Sequence, residues 1–297
     1  MEIRKEIEKI IPPPQTHMVG DGFRVHTFFP GNNIDQARMS PFYLLDYNSK
    51  FEFPPSETPR GVGVHPHKGF ETVTIAYKGK IAHHDSAGNS GIIGEGDVQW
   101  MTAASGILHK EYHEKEFSKK GGTFQMVQLW VNLPAKHKTA PPKYQPILHS
   151  EMGKYNLPDK AGVINIIAGS YRGTCGPAAT FTPIEMYDIL LNEKTTLNLS
   201  LPENYNTSVL IIEGEVEVNN NKVDDNHLVL FQNEGTEFEI SALTKCIVLL
   251  LSGEPINEPI FHYGPFLMNT RSEVEEAIND FNNGKFGHLE DRDSIIK

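Results

Sequence analysis

The chain is poor in cysteine, in basic charge and in long apolar runs, and each shortage excludes something. Its two cysteines, Cys175 and Cys246, cannot build a disulfide framework, so a reducing compartment is expected. Both are read as buried apolar residues rather than reactive thiols. No apolar run approaches the roughly 18 residues that a membrane span needs. The opening residues MEIRKEIEKI alternate charge and lack the apolar core of a secretory signal. A cytoplasmic location is expected, or a nuclear one in a eukaryote. Lysine and arginine number 27 against 38 aspartates and glutamates, for a net charge of −11. Such a chain does not track a phosphate backbone by electrostatics, so no direct nucleic-acid partner is expected. The basic cluster Lys136, Lys138 and Lys143 lies in a proline-bearing stretch and reads as a solvated linker.

Turn formers are plentiful, with 25 glycines and 20 prolines. Between them the apolar residues recur with period two. In Phe124–Val131, one face carries Val127, Leu129 and Val131, and the other Met126, Gln128 and Trp130. That pattern predicts a strand with a dry side and a mixed side. Many short strands separated by glycine turns predict an all-β protein of the sandwich or barrel kind. One helix is expected near the C-terminus. Ser272 is its predicted N-cap, with Glu275 completing a capping box, and Val274, Ala277, Ile278 and Phe281 form its apolar stripe, ended by Gly284.

The 297 residues suffice for two cores. The halves read as weak copies of each other. Thr72–Ile81 lines up with Thr207–Val216, so Gly79 falls opposite Gly214, and Gly96–Trp100 lines up with Asn226–Leu230. The expected division is a domain at 1–134, a linker at 135–146 and a domain at 147–297 that includes the helix.

Chemistry concentrates in the first half. His65, His67 and Glu71 share parity, so on a strand they project from one face. His109 and Glu111 share parity too. Two antiparallel strands can then bring three imidazoles and a carboxylate to one point, a donor set suited to a first-row transition ion with positions left open. The neighbours His83 and His84 face opposite ways on a strand and are not read as ligands. His113 sits in the charged run HEKE and is expected at the surface. Ser200, Pro202, Glu239 and Ser241 fall opposite the four donors in the second half, so that half is expected to bind no metal.

HPHKGFETVT (65–74) and GDVQWMTAASGILHKE (96–111) have the form of the two cupin motifs, with Ala104 where many cupins have proline and with Glu111 two residues after His109. Together with QLWVNLP (128–134) and GPFLMNT (264–270), they make the chain resemble the pirin family of the cupin superfamily. The resemblance implies two cupin domains in tandem, followed by a C-terminal helix. It implies iron, Fe2+ or Fe3+, in the N-terminal barrel, held by His65, His67, His109 and Glu111; other divalent transition ions are compatible. It implies either of two roles. One is quercetin 2,3-dioxygenase activity, opening a flavonol with O2 and releasing carbon monoxide. The other is redox-sensitive regulation, in which a transcription factor or metabolic enzyme binds the iron protein. In the enzyme reading Glu111 is the candidate catalytic base for the flavonol 3-hydroxyl, with Glu71 second. Gly69, lying between His67 and Glu71, is expected to form a bulge that turns Glu71 away from the ion. An apolar setting of Phe70, Trp100, Met101 and Trp130 argues against cupins that act on sugars or oxalate.

Overall fold

Period-two patterning becomes strand almost throughout. The computed structural model describes residues 3–31 and 34–291, and among them only Lys115–Lys120 and Arg271–Asn282 are α-helical. None of the described helices is long and apolar enough to cross a membrane.

The chain forms two compact units, and neither is contiguous. One comprises Gln15–Thr27, Phe42–His149 and the chain from Ile256 onward; the other comprises the N-terminal segment through Pro14, Phe28–Pro41 and Ser150–Pro255. This differs from the division expected at residues 1–134, 135–146 and 147–297. Each unit holds a seven-stranded and a four-stranded antiparallel sheet. In the unit beginning at Gln15 the four-stranded sheet runs Gly61–His67, Ile107–His113, Ile81–Asp85, Ser90–Ile93. The seven-stranded sheet runs Lys143–Ile147, Val98–Thr102, Phe70–Lys78, Gly122–Asn132, Phe42–Phe53, Phe23–Phe29, His17–Val19.

The duplication is carried into the hydrogen bonds. Gly96 N–H donates to the Ala76 carbonyl at 2.7 Å and Ala76 N–H to the Asp97 carbonyl at 3.1 Å. In the other unit Asn226 N–H donates to Ile211 at 2.7 Å and Ile211 N–H to His227 at 3.0 Å. Gly96 and Asn226 both adopt positive φ, +85° and +60°, as do Gly79 and Gly214 at the matching turns. The aligned segments are therefore the same strands and turns. The edge strands explain why the units are not contiguous. Ile7–Ile11 precedes the first repeat but pairs with Leu228–Phe231 of the second, while Lys143–Ile147 precedes the second repeat and pairs with Val98–Thr102 of the first. Each exchanged strand covers a sheet edge that would otherwise expose unpaired backbone groups.

The predicted linker is accordingly structured. Lys138 is buried rather than solvated, and its ammonium donates to the Gly69 and Leu267 carbonyls, each at 2.7 Å, and to Asn132 Oδ1 at 2.6 Å. The helix Arg271–Asn282 forms in the first-repeat unit, against the hairpin Phe261–Tyr263/Phe266–Met268. Its capping box is Thr270 with Glu273, two residues earlier than Ser272 with Glu275. Val274 and Ala277 are buried, while Phe281 remains 40% exposed. Cys246 is buried as expected, but Cys175 is exposed.

Candidate metal centre

The strand Gly61–His67 delivers two imidazoles to one face because residues two apart share a side. The chain then turns a corner at Lys68-Gly69. Gly69 has φ +91°, and a Cβ there would collide with the Leu267 carbonyl oxygen. Gly69 is thus a corner between two sheets rather than a bulge within a strand, and Glu71 lies on the next strand, opposite Thr102 and Val131. The register shift falls elsewhere. His109 pairs with His65 but Glu111 pairs with Val62, so the Gly61–His67 strand carries the extra residue. Toward the other neighbour, Ile81–Asp85, the register of His109 and Glu111 is unbroken.

His65, His67 and His109 come together. Their ring centroids are 4.2 to 4.8 Å apart, and one ring nitrogen from each lies within 4.8 Å of the others. Glu111 is grouped with His109 as well, through a second set in which donor atoms of His83, His109 and Glu111 meet the same limit. These are the two such groups among the described residues. His83 is fully buried and stands directly opposite Glu111 across the sheet. The parity argument set the His83-His84 pair aside, but opposite faces mean that one of the two must point inward. His84 is the outward one, its Nδ1 2.9 Å from the Tyr112 hydroxyl. His113 is the reverse of expectation. It is fully buried, its Nε2 is 2.8 Å from the Gly22 carbonyl, and Phe23, Phe53, Phe117 and Phe124 surround it. A charged run conceals a core histidine there, because alternate residues of a strand face apart.

The electrostatics favour neutral rings. Burial pushes His67 and His109 well below the ordinary imidazole range, and neighbouring imidazoles push the same way. Burial lowers His65 too, against the Gly63 carbonyl, which accepts from its Nδ1 at 2.8 Å. Burial raises the Glu111 carboxyl, opposed by His83 and Thr74. Thr74 Oγ1 donates to Glu111 Oε1 at 3.0 Å, and Gln99 Nε2 donates to the same oxygen. Both bonds fall on Oε1, which leaves Oε2 free. Tyr144 in turn holds Gln99, at 3.3 Å.

These residues fit a metal. His67 Nδ1, His83 Nδ1 and both nitrogens of His109 are buried without a hydrogen-bond partner. A buried polar atom left unpaired costs about 1–3 kcal/mol, and four in one place is a large uncompensated cost. A divalent first-row ion satisfies neutral imidazole lone pairs and a carboxylate together. Glu71 belongs to neither group. It is buried, accepts from Thr102 Oγ1 at 2.7 Å, and burial raises its pKa to about 7, against Thr102, Trp100 and Lys143. Its partners are the side chains of Thr102 and Trp100, not a histidine of the donor groups.

A cavity of about 190 Å³ opens on the group, between the two sheets. His65, His67 and Glu111 line one side, while Leu44, Met126 and Trp130 line the other, with Asp46 and Gln128 as polar points. Of the expected aromatic setting, Trp130 reaches the cavity. Phe70 packs behind it at 4.2 Å, and Trp100 and Met101 are buried outside the lining. In the second repeat the register pairs Glu239 with Asn198 and Glu237 with Ser200. Asn198 and Ser200 are exposed, however. With Ile81 matched to Val216, the pairing of Val216 with Ala242 puts Phe238 and Ile240 in the places of His109 and Glu111, not Glu239 and Ser241. Leu199, opposite Phe238, takes the place of His65, not Ser200, and all three are apolar and buried.

A duplicated pair of antiparallel sheets, with a His-x-His strand beside a His-x-Glu strand in one copy, defines a two-domain cupin. The family model for pirin matches residues 22–131, and that for the pirin C-terminal cupin domain matches residues 186–287. The chain belongs to the pirin family. It is 47% identical to "Putative quercetin 2,3-dioxygenase PA2418" of Pseudomonas aeruginosa, over 95% of this chain and 98% of that one. It is 38% identical to a pirin-like protein of Solanum lycopersicum, over 96% of this chain and 93% of that one. A crystal structure of quercetin 2,3-dioxygenase from Acinetobacter baumannii superposes with a TM-score of 0.92 at 45% identity, covering 97% of this chain and all of that one.

Proposed function

We propose that the chain is an iron-dependent dioxygenase that opens flavonols such as quercetin with O2, its ion held by His65, His67, His109 and Glu111. The observation that carries the reading is the convergence of unpartnered, neutral imidazoles and a buried carboxylate on an apolar-walled cavity. The ion would supply a Lewis acid for the flavonol 3-oxygen and one-electron chemistry toward O2.

The chain's own residues do the rest. Trp130, Leu44 and Met126 offer a planar, largely apolar ligand a dry wall, and Asp46 and Gln128 offer hydrogen bonds to its hydroxyl groups. Burial raises both the Asp46 and the Glu111 carboxyl, which makes each a better proton acceptor than an exposed one. Thr74 and Gln99 hold Glu111 Oε1 in place, and Oε2, on loosening from the ion, takes the 3-hydroxyl proton. Proton removal enriches the ring in electrons where O2 must add.

The test is an oxygen-electrode assay on Fe(II)-loaded protein with quercetin, with carbon monoxide measured in the headspace. One O2 consumed and one CO released per quercetin is expected. His109→Ala should remove both signals. Protein that binds iron yet consumes no O2 over quercetin would refute the enzyme reading and leave the family's regulatory role, with a protein partner, as the one to pursue. Parallel loading with Ni(II), Co(II) and Mn(II) identifies which ions support turnover.

A further inference from the structure

His83 is a buried polar group beside the donors for which the proposed reaction has no use. Its ring lies nearly flat on Tyr144, with 4.8 Å between centroids and 14° between planes. Nε2 stands 3.1 Å from Asp85 Oδ2. Asp85 is itself held by the backbone N–H groups of Ala87 and Asn89, at 2.9 and 3.0 Å, and by the Asn89 side-chain amide. A carboxylate surrounded by donors acts as an acceptor, so it places the His83 proton on Nε2. The lone pair of Nδ1 is then free, and that atom is buried without a partner. A ring anchored through one nitrogen and bare at the other is how metal-binding histidines are built. His65 follows the same plan, with Nδ1 anchored on the Gly63 carbonyl.

We propose that His83 is a metal donor and that the barrel offers one transition-metal ion two overlapping positions sharing His109. The outer position uses His65 and His67; the inner one uses His83 and Glu111. The inference rests on the reading that this site holds a metal, and it adds a fifth donor and a second position. Both nitrogens of His109 are unpartnered, so the ring is committed to neither group. A shared ring makes the two positions alternatives, so the chain still holds one ion. His65, His67 and Glu111 border the cavity, whereas His83 is fully buried and is not among its lining residues. An ion drawn to the inner position is therefore withdrawn from the cavity, while Glu111 remains within reach of both.

Metal affinity and stoichiometry can be read by titrating apo protein with Co(II) against a chromophoric chelator. The double variant His65→Ala/His67→Ala is expected to keep one ion, at an affinity about 10–100-fold weaker. Adding His83→Phe, whose ring preserves the stack on Tyr144, should abolish that remaining binding, and His109→Ala alone should abolish all binding. In the otherwise intact chain, His83→Phe should simplify the Cu(II) electron paramagnetic resonance spectrum from two species to one, a readout that does not depend on the double variant folding. A natively folded double variant that binds no Co(II) overturns the inner position, as does a Cu(II) spectrum unchanged by His83→Phe. Wild-type protein that binds no metal overturns the metal reading itself, which separates the two failures.

Discussion

Glu71 and Glu111 are buried carboxyls of the same unit, and their partners separate their roles. Glu111 meets His83 and His109, while Glu71 meets Thr102. Glu111→Gln is expected to weaken Fe(II) binding at least about tenfold, since a charged donor is lost. Glu71→Gln should leave Fe(II) binding within a factor of two or so, as its carboxyl lies outside both donor groups. Metal titrations of the two variants decide this, and a larger loss for Glu71→Gln would reverse the assignment. Glu71 should instead register in stability. Its folded pKa of about 7 lies above the ordinary 4.5, so the folded state keeps a proton that the unfolded chain has lost. Its contribution to stability therefore falls as pH rises from 4.5 to about 7, by up to about 3 kcal/mol. His67, His109 and His113, buried and lowered, contribute the opposite slope. The Glu71 part is therefore read as the difference between wild type and Glu71→Gln in denaturant unfolding of the metal-free protein, which should shift against wild type as pH rises through that window.

At the scale of elements, the decisive piece is the corner at Lys68-Gly69. It ends the His-x-His strand and begins the strand of the facing sheet. Gly69 N–H donates to the Ala104 carbonyl at 2.8 Å, Lys138 caps the Gly69 carbonyl, and Lys68 pairs with Asp280 of the C-terminal helix at 2.7 Å. Gly69→Ala faces both a positive φ and a backbone collision, so a loss of about 2 kcal/mol or more is expected, together with weaker metal binding through His67. Lys138→Met would leave three buried acceptors without a donor and should cost at least about 3 kcal/mol. Thr270→Ala, which removes the helix cap, should cost about 1 kcal/mol and leave metal affinity unchanged. Denaturant midpoints and Co(II) titrations on the three variants test this ordering. The corner was legible as a glycine with a special role but not as a corner. What distinguishes a bulge from a turn between sheets is the Leu267 backbone pressed against it, from a hairpin remote in the sequence.

At the scale of the molecule, the two repeats share strand order and turn geometry but not donors. About one ion per chain is the expected stoichiometry by elemental analysis of Fe(II)-saturated protein, and two tightly held ions would contradict it. Metal at 100 times its dissociation constant should stabilise the site-bearing unit by about 2.7 kcal/mol, visible as a concentration-dependent rise in its melting temperature.

The sequence by itself determined what depends on local periodicity. Parity set His65 beside His67 and His109 beside Glu111, and the matched glycines Gly79 and Gly214 marked the duplication. Those features follow from the pleat of a single strand and from the steric freedom of single residues. Only the tertiary structure decided which strands meet. Register placed His83 opposite Glu111, sheet-edge pairing sent Ile7–Ile11 to the second repeat and Lys143–Ile147 to the first, and long-range packing buried Lys138 and His113. Each of these rests on contact between segments far apart along the chain, where a side chain's parity says which way it faces but not what it faces.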